Sequence, residues 1–359
     1  MANSRPVQRI DADRHWLLMV TSFGVSVVGT RVYLEAAGYP QIGNGTLHIA
    51  HVLWGGLLLF VALAIFLTFG NRWSYSLGAI TGGAGVGLFI DEVGKFITQS
   101  NDYFFPFAAP IIYGFFLLTV LIYLQLRRLR PHDTRADLYW VLDQLKDVID
   151  QDFDVRERAR VEAVLLDVTT QRHQPEQQQM AEALLKVVRT MPTIKPPEPN
   201  LFQRLEARLR DAEQRLISQG VHRTFLIVAF VALSLSGLAM ILSLISVGTN
   251  LEMRDQFFTS AVEESFFQTQ ASLQWLLVHS VLTVAMGTLY LIAAGLLFLR
   301  RDASGIRIGR LALILELTVV NVLAFYFNQF TMIFSTLAAL VVLLAVERYR
   351  SRFLDIAEA

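Results

Sequence analysis

Long apolar runs, separated by short polar stretches, dominate the chain. A helix that crosses ~30 Å of hydrocarbon needs ~20 mostly apolar residues at 1.5 Å each. Runs of that kind occupy 16–35, 47–69, 75–98 and 105–126, and, after a charged stretch, 224–247 and 272–299. A last run, 308–346, would make a single helix of ~58 Å, about twice the hydrocarbon thickness. It is therefore divided near Phe327-Asn328-Gln329 into two spans joined by a tight hairpin. The pattern predicts an all-α integral membrane protein with eight transmembrane helices in two four-helix groups. Residues 1–130 form the N-terminal bundle, 131–222 a helical insert and 223–359 the C-terminal bundle.

The insert has helical periodicity without any run long enough to span. Residues 136–150 align Leu138, Leu142, Leu145, Val148 and Ile149; residues 155–168 align Val161, Val164, Leu165 and Val168; residues 177–189 align Met180, Leu184, Val187 and Val188. The linker 191–199 carries four prolines and cannot be helical, because each removes an N–H and constrains the residue before it. Beyond it, 200–219 reads as an amphipathic helix with Leu201, Leu205, Leu209 and Leu216 opposed to Arg204, Arg208, Arg210 and Arg215. Such a helix suits either the anionic inner leaflet or the other insert helices. Phe257, Phe258, Phe266 and Phe267 predict a short interfacial helix in the loop 249–270.

Charge orients the spans. Arg5, Arg9 and Arg14, then Arg72, Arg127, Arg128 and Arg130, Arg223, Arg300, Arg301, Arg307 and Arg310, and finally Arg348, Arg350 and Arg352 all fall on one side of an eight-span chain. The positive-inside rule makes that side cytoplasmic, with both termini and the insert. The expected location is a bacterial inner (cytoplasmic) membrane. Composition agrees. Of 359 residues, 53% are hydrophobic and only 17% charged, against ~25% in soluble domains. A water-soluble globule is excluded. The 31 basic and 31 acidic residues balance, which gives no reason to expect nucleic acid. Cysteine is absent, so disulfides, thiolate metal sites and cysteine nucleophiles are excluded. Phosphate-loop, dinucleotide and nucleophile-elbow motifs are missing as well. The expected partners are membrane lipids and a cytoplasmic protein reading the insert; a homo-oligomer stays open.

Ionisable residues within spans are functional candidates, because each costs ~2.5–3.5 kcal/mol at a helix centre on insertion scales. Here they gather at the outer ends of the first three spans: Arg31 and Glu35, His48 and His51, then Asp91, Glu92 and Lys95, with Asp102 in the following loop. His48 and His51 share a helix face at a spacing of three. Asp91 and Glu92 are adjacent and point ~100° apart. Glycines 78, 82, 83, 85 and 87 precede them and allow close helix approach.

Three readings fit. His48, His51 and Asp91 could bind zinc, with Asp91 and Glu92 catalytic in hydrolysis of a lipid or amphiphile. The same groups could form the titrating site of a proton- or ion-coupled transporter or sensor. Or Arg31–Asp91 and Glu92–Lys95 are ion pairs that hold the bundle together. Haem is not expected: His48 and His51 lie on one helix, and His279 is the only other intramembrane histidine. In the second bundle Glu316 sits mid-span and needs a proton or a partner, for which His279 is a candidate.

The His48, His51 and Asp91 cluster is similar to the zinc site of several-span membrane hydrolases of the alkaline ceramidase type, and that resemblance implies a hydrolase. The C-terminal half departs from the family, lacking its paired histidines on a late helix, and the large insert is outside its pattern. Membership does not follow, and whether the chain is an enzyme stays open.

Overall fold

The structure is a computed structural model that describes residues 7–9, 11–38, 50–103, 105–128, 134–170, 175–194, 217–249, 270–327 and 329–354. Among the described residues it is almost wholly helical and has no strands. Seven helical segments are long and apolar enough to cross a membrane: Ala12–Ala36, His51–Thr68, Ala108–Arg127, Gln219–Ser243, Leu277–Phe298, Asp302–Tyr326 and Met332–Phe353. The helix carrying the third expected span is not among them, because glycine, serine and tyrosine dilute its hydropathy. The 308–346 run does belong to two separate candidate spans. Residues 200–216 of the expected amphipathic helix, 195–199 of the proline linker, 250–269 of the aromatic loop, Asn328 of the hairpin and His48 lie outside the described residues.

The chain forms two compact units, 1–97 with 115–200 and 98–114 with 201–359. The first contains α1 (Ala12–Ala36), α2 (His51–Thr68), α3 (Trp73–Asp91) and the short α4 (Val93–Ile97). Helix α5 (Ala108–Arg128) belongs to it from Phe115 onward. Large side chains such as Phe60 and Leu67 are 68% and 78% exposed, an apolar exterior suited to lipid. α3 packs lengthwise on both α1 and α2.

The insert completes this unit with α6 (Thr134–Gln144), α7 (Lys146–Ile149), α8 (Val155–Thr170) and α9 (Pro175–Thr190). Its core is Leu138, Val141, Phe153, Val161, Leu165, Val168, Ala181, Leu185 and Val188. Leu142, Ile149, Met180 and Val187 are exposed instead. Leu145 interrupts the first helix, and in α9 the buried stripe is Ala181, Leu185 and Val188, one position along from Met180, Leu184 and Val187. Asp154 opens α8 with a capping box: its Oδ1 accepts the Glu157 N–H at 2.8 Å, and Glu157 Oε2 accepts the Asp154 N–H at 3.1 Å. Arg158 donates to the carbonyl of Val188 at 3.0 Å and to that of Arg189, satisfying the end of α9.

The second unit contains α10 (Gln219–Thr249), α11 (Gln270–Phe298), α12 (Asp302–Leu315), a π turn (Glu316–Val320), α13 (Asn321–Phe327) and α14 (Gln329–Phe353). The start of α5 up to Gly114 belongs here. Its core includes Leu226, Phe230, Tyr290, Leu297, Leu313, Val346 and Tyr349. α10 and α11 touch at Gly237 and Gly287, where a Cβ on either would lie 2.9 Å from the other's Cα. Asp302 Oδ2 accepts from Arg223 Nη2 at 2.7 Å and from the Tyr349 hydroxyl at 2.5 Å, joining α10, α12 and α14.

Candidate functional site

The site in the first unit is built by the two glycine faces of α3. Gly83 and Gly87 lie against α1; a Cβ on Gly87 would fall 2.7 Å from Ser26 Cβ and 2.9 Å from the Phe23 carbonyl. Ser22 and Ser26 donate across this seam to the carbonyls of Ile80 and Ala84, at 2.7 and 3.0 Å. Gly85 lies against α2, with a would-be Cβ 2.9 Å from both the Gly55 carbonyl and the Leu59 nitrogen. Asp91 follows Gly83 and Gly87 at helical spacing, so it faces α1. Glu92 comes where the helix has ended, at φ −91° and ψ 10°, and turns toward the start of α2.

Five side chains join there. Arg31 Nε donates to Asp91 Oδ1 at 2.6 Å. Asp91 Oδ2 lies 3.1 Å from His51 Nε2, and Glu92 Oε1 lies 2.9 Å from His51 Nδ1. Lys95 Nζ donates to Glu92 Oε1 at 3.2 Å. The order is cation, carboxylate, imidazole, carboxylate, cation. Asp91 and Glu92 are buried at 0% and 1% exposure, while His51 keeps 20%. Glu92 has a second task. The backbone N–H of His51 donates to its Oε1 at 3.1 Å, so it caps α2, whose own Ala50 offers no side-chain cap. Among the described residues, Glu92 Oε2 is buried without a hydrogen-bond partner.

No protein-family model, curated protein or solved structure matches the chain.

The expected Arg31–Asp91 and Glu92–Lys95 pairs are both present. Adjacent carboxylates ~100° apart cannot aim at one atom, but they do reach the two nitrogens of one imidazole. Glu35, one turn beyond Arg31, is exposed. Asp102, His279 and Glu316 belong to the second unit. There Glu316 accepts from the Tyr290 hydroxyl. His279 is eleven residues before Tyr290, about 16 Å along the same helix, so the expected Glu316–His279 pairing gives way to Glu316–Tyr290. Among the described residues no group of three His, Asp or Glu side chains is arranged to hold a metal ion.

At the other end of α3 the insert makes contacts the sequence did not disclose. Arg72 pairs with Asp147, and Asn71 Nδ2 donates to Asp150 Oδ2 at 2.8 Å. Arg9 Nη2 donates to Asp143 Oδ2 at 2.9 Å, with its guanidinium 3.5 Å above the Tyr75 ring. A cavity of about 180 Å³ opens beside them. Burial raises the Asp147 carboxyl above its ordinary range although Arg72 opposes the change, and burial also raises Glu157. Lys146 is raised by its hydrogen bond to Asp143. Acidic residues clustered on α6 and α7 and a lone arginine between two spans were the available signals.

Proposed function

We propose that the chain is an eight-span, proton-responsive membrane sensor. Asp91, His51 and Glu92 bind the proton at the outer ends of α1 to α3, and α3 reports the occupancy to the cytoplasmic insert. The observation that carries this reading is the imidazole held between two carboxylates, each with its own cation.

With His51 neutral, Arg31 and Lys95 balance Asp91 and Glu92, so net charge is zero. A neutral imidazole, however, has only one N–H to offer, and one carboxylate then faces a lone pair. With His51 protonated both carboxylates receive a donor, but the buried cluster carries a charge of +1. Each state satisfies one requirement and violates the other. Gain or loss of a proton at His51 therefore changes both the charge of the cluster and its hydrogen bonds, as a switch needs. α3, about 28 Å long, starts beside the Arg72–Asp147 pair and ends at Asp91, so movement of either end reaches the other.

The test uses the full chain in right-side-out vesicles with the inner pH clamped. Outer pH is stepped from about 10 to about 5, a span that covers both an ordinary histidine and one flanked by two carboxylates. Hydrogen exchange of α6 to α9 should change with outer pH in the wild type and stop responding in His51→Gln. Arg72→Ala should uncouple the insert. An insert indifferent to outer pH, or equally responsive in His51→Gln, would overturn the proposal.

A zinc hydrolase remains the second reading, favoured by one observation. A metal-bound histidine is supported by a carboxylate on its other nitrogen, the relation of Glu92 to His51 Nδ1. His48, His51 and Asp91 would then hold the ion. Stoichiometric zinc in purified protein, lost in His48→Ala and in His51→Ala, would decide for it; metal-free protein would decide against it.

A further inference from the structure

Glu316 lies midway along an apolar segment, 302–326, that is long enough to cross a membrane. The helix does not pass it in regular form. It widens into a π turn over Glu316–Val320, in which the Asn321 N–H donates to the Glu316 carbonyl. Such turns occur mostly at functional positions. Polar groups from three other helices converge on this turn. Tyr290 of α11 donates its hydroxyl to Glu316 Oε2. Tyr113 of α5 donates to the Leu317 carbonyl at 2.5 Å. Asn321 Nδ2 donates to Thr336 Oγ1 of α14 at 2.9 Å.

The titratable groups that face the carboxyl are Tyr290 from α11 and Tyr113 from α5. Arg310, six residues earlier on α12, is paired with Glu347 of α14. Among the described residues no cation pairs with Glu316. An ionised carboxylate with a single neutral donor is costly in hydrocarbon surroundings, whereas the neutral acid is tolerated there.

We propose that Glu316 is an intramembrane proton-binding site, with the Tyr290 hydroxyl as its hydrogen-bond partner in both protonation states. On access to water the carboxylate takes a proton and forms an O–H bond; on release that bond breaks and the proton returns to water. With Glu316 ionised, Tyr290 donates to it. With Glu316 protonated, the acid donates to the Tyr290 oxygen. The site is independent of the cluster around His51, and its test does not rest on that reading.

The test is infrared difference spectroscopy of the full chain in lipid vesicles, titrated in pH without sodium. The carboxylic acid carbonyl band of Glu316 is identified by its loss in Glu316→Gln, a near-isosteric variant whose folding is checked by its unfolding temperature. The band should grow on the acid side and vanish on the alkaline side with one midpoint. Tyr290→Phe should raise that midpoint by about one pH unit, because the hydroxyl stabilises the carboxylate more than it stabilises the neutral acid. A band present or absent at every pH would overturn the proposal, leaving a fixed structural group. Loss of the band on adding sodium at constant pH would also overturn it, in favour of a metal-cation site.

Discussion

Asp91 is the residue on which the first site depends, because it touches both Arg31 and His51. Removing one partner of a buried ion pair leaves the other charge uncompensated and costs ~3–5 kcal/mol, whereas replacing the whole pair with apolar groups is often close to neutral. Asp91→Ala should therefore lower the unfolding temperature sharply. Arg31→Met combined with Asp91→Leu should recover much of the loss. Unfolding of the two singles and the double in the same detergent checks this. If the double is as unstable as Asp91→Ala, then Arg31 is not the charge that suffers. Glu92 acts differently, because it also caps α2. Glu92→Gln keeps an acceptor for the His51 N–H and should cost less than Glu92→Ala, which removes the cap as well, by ~0.5–2 kcal/mol.

At the scale of elements, glycine placement decides where the charged groups meet. A methyl on Gly85 would fall 2.9 Å from backbone atoms of α2, which cannot move aside as a side-chain tip can. Gly56, on α2, has nothing within 4 Å of the same added atom. Gly85→Ala should destabilise by ~1–3 kcal/mol, as overpacking does, and should loosen His51 from Glu92. Gly56→Ala should be neutral or stabilising by up to ~1 kcal/mol, because it removes glycine from a helix interior. Paired melting curves test the contrast, and equal effects would mean that the α2–α3 seam has room for a methyl at Gly85. A second element-scale case is Gln151, at φ 59°, where the Asp152 N–H returns to the Asp147 carbonyl at 2.8 Å and closes the end of α7. This left-handed position costs a non-glycine residue ~1–2 kcal/mol, so Gln151→Gly should raise insert stability by about that amount.

For the whole molecule, apolar periodicity makes the helical class and most candidate spans legible. Depth along the spans places Arg31, His51, Asp91 and Glu92 at one level in the sequence, and the structure joins them. It failed for Glu316, because depth gives no rotation about the helix axis and so could not choose Tyr290 over His279. It was silent on the insert, whose anchoring uses surface charges that look like ordinary solvated residues in sequence. That anchoring gives the last prediction. Asp147 is mostly buried beside Arg72, and burial outweighs the arginine, so its carboxyl holds a proton more tightly in the folded chain than in the unfolded one. For an acid whose folded value is raised, the folded state binds more protons, and stability falls as pH rises from the ordinary value of 3.8 through the folded value. Asp147→Asn loses the ion pair but does not titrate. Its unfolding temperature minus that of the wild type should therefore climb as pH rises above about 4 and level off once Asp147 is ionised in the folded chain. A difference that instead falls with pH would mean that Arg72 dominates, and that the insert is held to α3 by a net attractive pair.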